Sequence, residues 1–284
     1  VLRAIEREGR SPTPDERVAL LRFTGWGGIP ASFNLDGTDA AWKQRARQLS
    51  ELLQPAEYES ARASVNNSHY TEPFIVRWIW AALRRLGFDG GRILDPSSGI
   101  GHFLGCMPAD IATRSRITAV ELDDLAGRVL RALYASAGVD VRIQGLESAT
   151  LAEGSFDLVV SNVPFGNYQV SDGRNRPYSR FSIHNWFVGK ALDLVRPGGL
   201  VCLITSAWFL DQRDESARAH AASLANLVSA VRLPQGAFMR LASTDVQSDI
   251  VMLRRSQPGE SGRTEWVDLD FVPDELRDPR CQDK

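Results

Sequence analysis

Ser161-Asn162-Val163-Pro164-Phe165-Gly166 places an amide, a rigid proline and an aromatic ring directly behind the apolar run 156–160. That run reads as a buried strand, so these groups sit at its carboxyl end, where open α/β sheets bind their ligands. The set suits a flat, amine-bearing base. The Asn162 oxygen and a backbone carbonyl accept from the amine, and the ring stacks on the face. On its own, a polar-proline-aromatic string also fits an ordinary turn.

Upstream, residues 92–103 read as a strand, a glycine loop and a helix start. Gly99 and Gly101 allow a sharp turn and close approach of backbone to a ligand. Asp95 closes the strand with a carboxylate suited to a cationic amino-acid group. No Lys-Ser or Lys-Thr follows the glycines, which excludes a phosphate-gripping P-loop, and the full Gly-x-Gly-x-x-Gly spacing is missing too. Residues 117–121 form a short apolar strand ending in Glu121. An acid there, roughly 20 residues past the glycine loop, occupies the usual position for ribose hydroxyls. The run 139–147, with Gly145 and Leu146 near its polar end, reads as a third strand able to frame an adenine.

In this order, Asp-Pro-x-x-Gly-x-Gly, a strand-terminal Glu and Asn-x-Pro-Phe resemble the S-adenosylmethionine-dependent amino-methyltransferases. Among these the chain is most similar to adenine-N6 DNA methyltransferases whose cofactor motif precedes the catalytic motif. His69-Tyr70-Thr71-Glu72-Pro73-Phe74 resembles the family segment that covers the methionine end of the cofactor. Residues 23–28 are similar to a segment in large methylase-helicase proteins of phages and mobile elements. The match spans about residues 66–255. The resemblance implies a catalytic set of Asn162, Val163, Pro164 and Phe165. It implies a cofactor set of Tyr70, Thr71, Pro73, Asp95, Ser97, Gly99, Gly101, Phe103, Glu121, Leu122, Gly145, Leu146 and Asn162. Phe165, Phe238, Arg174 and Arg176 are the expected substrate contacts. No metal is implied. Val163 stands where the family usually has its first proline; proline mainly fixes φ and removes a donor, and Val keeps the carbonyl. Expected partners are DNA, its target base flipped from the duplex, and further domains of a parent protein in a restriction-modification or mobile-element setting. Cytosine N4, protein glutamine, RNA guanine and a non-catalytic cofactor-binding module stay open as alternatives.

Bulk properties agree with an ordinary globular protein. The chain has 284 residues and a formal net charge of −2, so there is no global basic signature for nucleic acid. Arg174, Arg176 and Arg180 form a local basic stretch behind the catalytic motif. Cys106, Cys202 and Cys281 lack metal-ligand spacing and fit a reducing cytoplasm, the expected location. No run is long enough to span a membrane. The first residue is Val, which suggests a piece of a longer protein.

The positioning elements follow from the pattern. Residues 1–65 read as a helical extension, with Trp26 and Phe33 packing it onto the core. Residues 71–86 form an amphipathic helix with Phe74, Trp78 and Leu83 among its apolar positions. Strands near 92–95, 117–121, 140–144, 156–160 and 199–205 alternate with helices, which indicates a doubly wound α/β sheet. Residues 227–233 and 249–254 are expected to pair as an antiparallel hairpin at one edge. The sum is a mostly parallel, seven-stranded, Rossmann-like class I methyltransferase sheet over residues 66–255. Residues 256–284 read as a tail or linker. Ser182, His184 and Asn185 are read as a helix start rather than a nucleophile and base, and His102 as a packing neighbour of the cofactor.

Overall fold

The computed structural model describes residues 1–27, 29–36, 38–65, 70–173, 175–234, 236, 247–260 and 262–269. Arg174 and Phe238, two of the expected substrate contacts, lie outside the described residues, as does Cys281.

Among the described residues, five α-helices precede the sheet: α1 (Leu2–Glu8), α2 (Pro14–Leu21), α3 (Ala40–Leu52), α4 (Pro55–Ser64) and α5 (Pro73–Arg85). Their starts are written locally. Proline stands at the first turn of α2, α4 and α5, where its missing N–H costs nothing. Thr13 and Glu16 close a capping box, and Asp39 accepts from the Ala41 and Trp42 amides. The main alternation then runs β1 (Gly91–Asp95), α6 (His102–Gly105), α7 (Ala109–Thr113), β2 (Ser115–Glu121), α8 (Asp124–Tyr134), β3 (Asp140–Ile143), β4 (Phe156–Asn162), α9 (Ile183–Leu194), β5 (Val195–Ser206), α10 (Trp208–Asp211), α11 (Ser216–Leu224), β6 (Ala225–Arg232) and β7 (Ser248–Arg255).

The seven strands form one sheet in the order β3-β2-β1-β4-β5-β7-β6. The first five are parallel and β7 is antiparallel to both of its neighbours. Leu94, Leu158, Val159 and Ile204 are fully buried within it, as sheets covered on both faces require. β5 starts earlier than the apolar run suggests. Val195 pairs with Phe156, and the register shifts before Leu200 pairs with Leu158, so Pro197-Gly198-Gly199 is a bulge within the strand rather than a turn before it.

One helix face differs from expectation. In α5 the buried residues are Ile75, Val76, Ile79, Trp80 and Leu83, while Phe74 and Trp78 are 62 % and 45 % exposed. Phe74 and Trp78 share the outer face with Arg77 and Arg85, so the helical period itself separates them from the buried stripe. Trp80 anchors that stripe, donating its indole N–H to the Phe103 carbonyl at 2.9 Å.

The extension packs onto α8 through a second small core of Ile5, Leu20, Tyr70, Ile100, Ala126, Val129 and Leu133. Trp26 is buried and packs edge-on against Phe23 and Phe33, each at 5.4 Å between ring centroids. The described part of the C-terminal stretch also packs back: Val267 is buried, and its carbonyl accepts from the Arg218 guanidinium at 2.6 Å.

Candidate active site

The carboxyl ends of β1, β2 and β4 open into one cavity of about 330 Å³. Its size and its mixture of apolar wall and convergent polar groups suit a small-molecule site.

The glycine loop forms the floor. Gly99 has φ +54° and Gly101 φ +89°, the left-handed region that favours glycine. A Cβ on Gly99 would come within 2.3 Å of the Tyr70 ring. Tyr70 therefore lies directly on the loop, and it meets His102 edge-on at 5.0 Å. Ser98 ties the loop to the sheet, its amide donating to the Val120 carbonyl at 3.0 Å and its hydroxyl to the Asp95 carbonyl at 2.9 Å.

Glu121 lines the cavity and is held by two backbone donors. The Gly99 amide donates to Oε2 at 2.7 Å and the Asp123 amide to Oε1 at 2.8 Å. Burial nevertheless pushes its carboxyl up to about 7. Asp95 is fully buried below the loop and is not a wall of the cavity. Its Oδ1 accepts from the Ser161 hydroxyl at 2.7 Å, which joins β1 to β4 under the site. Its Oδ2 has no hydrogen-bond partner, and burial raises this carboxyl to about 7 as well.

At the end of β4, Asn162 and Pro164 both line the cavity. Asn162 stands beside Ile204 in the sheet, and the Val163 amide donates to the Ile204 carbonyl at 3.1 Å. The strand pairing thus fixes the start of the loop 162–166. Of the expected cofactor residues, Tyr70, Thr71, Ser97, Gly99, Phe103, Glu121, Leu122, Gly145, Leu146 and Asn162 share the cavity wall. Pro73, Asp95 and Gly101 are not among the wall residues. Val163 and Phe165 are buried in the main core, and Phe165 is 9 % exposed. Arg176 is away from the cavity; it is bonded to Glu153 and lies 3.9 Å from Asp193, so its charge is compensated within the chain.

Several wall residues carried no signal in the sequence. Tyr168, Gln169, Val170 and Ser171 come from the aperiodic loop after Gly166, and Ile183 and Phe187 from α9. Ser64 arrives from the extension. Asp123 is legible in retrospect as the N-cap of α8, its Oδ1 accepting from the Ala126 amide at 2.7 Å.

The cavity fits an S-adenosylmethionine-like ligand. Asp95 Oδ2 is a buried carboxylate oxygen lacking a donor, which a cationic amino-acid group would satisfy. Glu121 already accepts hydrogen bonds at the end of the second strand and lines the same cavity as Gly99. Among the described residues no cluster of His, Cys, Asp or Glu is placed to hold a metal ion. No helix among them is long and apolar enough to cross a membrane.

Comparison with known proteins agrees with this geometry. The model of the Eco57I restriction-modification methylase family matches residues 122–233, a span that includes Asn162 to Gly166. The chain is 26 % identical over 250 residues to defense against restriction protein B of Escherichia phage P1, which covers 87 % of this chain and 9 % of that protein. It thus spans under a tenth of that relative's length. A solved class I S-adenosylmethionine-dependent methyltransferase assignment from Listeria monocytogenes is 17 % identical, with a TM-score of 0.58 over 83 % of this chain and 82 % of that one. The methyltransferase subunit of a type I restriction-modification system from Streptococcus thermophilus is 14 % identical, with a TM-score of 0.54 over 77 % of this chain and 53 % of that one. The solved structures bear on the fold, and the family match on the segment carrying the amide-proline-phenylalanine loop. Residues 122–233 thus match the Eco57I restriction-modification methylase family, and the fold of the chain is that of the solved S-adenosylmethionine-dependent methyltransferases.

Proposed function

We propose that this chain methylates the exocyclic N6 amine of adenine in DNA, acting as one domain of a larger protein. One observation carries the reading: Asn162 and Pro164 open into the same cavity as the glycine loop and Glu121. The group to be methylated and the methyl donor would therefore meet at the end of β4.

The amine of adenine is a poor nucleophile because its lone pair is delocalised into the ring. The side-chain oxygen of Asn162 and the carbonyl of Val163 would accept from its two protons and draw the nitrogen toward tetrahedral geometry. Bound cofactor supplies a methyl group on a sulfonium, a good leaving group. The chain's own contribution is alignment and hydrogen bonding, and no strong base is required. Extruding the base costs a few kcal/mol, which stacking on an aromatic ring of the loop offsets in part. Phe165, buried in the main core of the ligand-free fold, is the ring given this role, and Tyr168 of the same loop lines the cavity.

Cofactor affinity is expected to depend on pH with a definite sign. Asp95 and Glu121 both titrate near about 7 in the ligand-free fold. An ammonium and ribose hydroxyls favour the ionised carboxylates, so binding releases protons and affinity rises as pH increases through 7, then levels. The ligand-free chain behaves oppositely. Its folded state holds these protons more tightly than the unfolded state, so their contribution to stability is lost as pH rises through 7. Calorimetry of S-adenosylhomocysteine binding between pH 6 and pH 8 checks the first sign; affinity that is flat or falls over this range contradicts it.

DNA affinity of this chain alone should be weak. Its net charge is −2 and Arg176 is paired internally. A Kd in the non-specific range of roughly 10⁻⁴–10⁻⁶ M, reduced by salt, is expected. Gel-shift titration yielding nanomolar, sequence-selective binding at physiological salt would show that the recognition apparatus lies within these residues. The acceptor itself is tested by incubating the chain with methyl-labelled cofactor and, separately, DNA, RNA and protein. Label in DNA supports the proposal. Label confined to RNA or protein rejects it.

A further inference from the structure

We infer that helix α4 of the N-terminal extension is part of the cofactor grip, with Ser60 and Ser64 as positioning residues for Glu121. This rests on the cavity being the S-adenosylmethionine site.

Glu57, Ser60 and Ser64 fall at i, i+3 and i+7 on α4 and so share one face. That face lies against the turn joining β2 to α8. The Ser60 hydroxyl accepts from the Asp124 amide at 3.0 Å. The Ser64 hydroxyl lies 2.9 Å from Asp123 Oδ2 and 2.9 Å from the Ala61 carbonyl of its own helix, and Ser64 lines the cavity. The chain of contacts continues inward: the Asp123 amide donates to Glu121 Oε1, and Glu121 Oε2 takes the Gly99 amide. Two hydroxyls of α4 therefore fix the turn that aims the strand-terminal acid.

The helix is clipped in place by charge. Arg128 of α8 donates to Glu57 and to Asp124, and its other nitrogens reach both carboxylate oxygens of Glu6 on α1 at 2.6 Å. Arg3 bonds Glu57 at 2.8 Å from the other side. Glu57 is buried, which opposes its ionisation. The bonds from Arg128, the Gln54 backbone and Arg3 outweigh burial and hold its carboxyl at about 2. At neutral pH this cluster is fully charged and ties α1 and α4 to α8. Since α4 orders the site, ligand in the site orders α4 by the same free energy.

The test uses the whole chain with S-adenosylhomocysteine as the probe. Calorimetry should show affinity falling about two- to tenfold for Ser64→Ala, as loss of one hydrogen bond implies, and further for Ser60→Ala combined with it. Ser64→Thr, which keeps the hydroxyl, should bind within about twofold of the parent, well inside one hydrogen bond's worth. Amide exchange in the parent should slow over residues 55–64 when the probe is added. Unchanged affinity in the double alanine variant overturns the inference, and so does a parent chain that binds the probe without slowing exchange in α4. If the parent binds no probe, the reading of the cavity fails as well, which separates the two failures. The exchange measurement needs no variant and decides the matter even where an alanine chain unfolds.

Discussion

Asn162→Ala is expected to reduce methyl transfer by at least about a hundredfold, the scale of losing a preorganised transition-state contact. Affinity for S-adenosylhomocysteine should stay within roughly threefold of the parent, because an interaction made chiefly with the reacting amine appears in turnover rather than in cofactor binding. The structure supplies the basis for this separation. Asn162 ends β4 beside Ile204, and its neighbour Val163 is anchored by the Ile204 carbonyl, so truncating the amide leaves the strand pairing in place. Cofactor contacts expected from the glycine loop and Glu121 come from β1 and β2 instead. Steady-state kinetics together with calorimetry measures both quantities. A variant retaining more than half the parent turnover would remove Asn162 from the catalytic role.

Glu121→Ala should show the reverse pattern, with cofactor affinity falling by about 1.5–3 kcal/mol, the usual worth of hydrogen bonds to a charged group. This corresponds to roughly ten- to 150-fold, at 1.4 kcal/mol per factor of ten. Two effects add. The expected ribose acceptor is lost, and the Gly99 and Asp123 amides lose the carboxylate they share. Saturating cofactor should restore most of the turnover. Calorimetry showing parent-like affinity would take the ribose role from Glu121.

The legible part of this molecule was the part with local signatures. A strand ending in an acid, a loop needing positive φ at Gly99 and Gly101, and a proline-aromatic turn after an apolar run each declare themselves within a few residues. The alternation of strands and helices, and the paired runs near the carboxyl end, carried the sheet class and the edge hairpin. Trp26 and Phe33 were expected to pack the extension onto the core; their ring contacts, with Phe23, Tyr58 and each other, lie within the extension itself.

What was not legible depends on tertiary contact. Ser64 is one serine among many until α4 docks on α8 and brings it to Asp123. Tyr168 and Gln169 lie in a loop with no period, placed in part by the Ile183 amide donating to the Tyr168 carbonyl at 2.8 Å. Asp95 was read as a direct partner of the ligand. The structure adds that it also struts β4 through Ser161 and that its second oxygen still lacks a donor, details that depend on burial and cannot be read from sequence.

The most direct test of the central claim is the identity of the methylated nucleoside. DNA incubated with this chain and isotopically methyl-labelled cofactor is digested to nucleosides and resolved by mass spectrometry. The account predicts labelled N6-methyldeoxyadenosine with the parent chain and none above background with Asn162→Ala. Label in N4-methyldeoxycytidine, or N6-methyldeoxyadenosine formed equally by the Asn162→Ala chain, would contradict it.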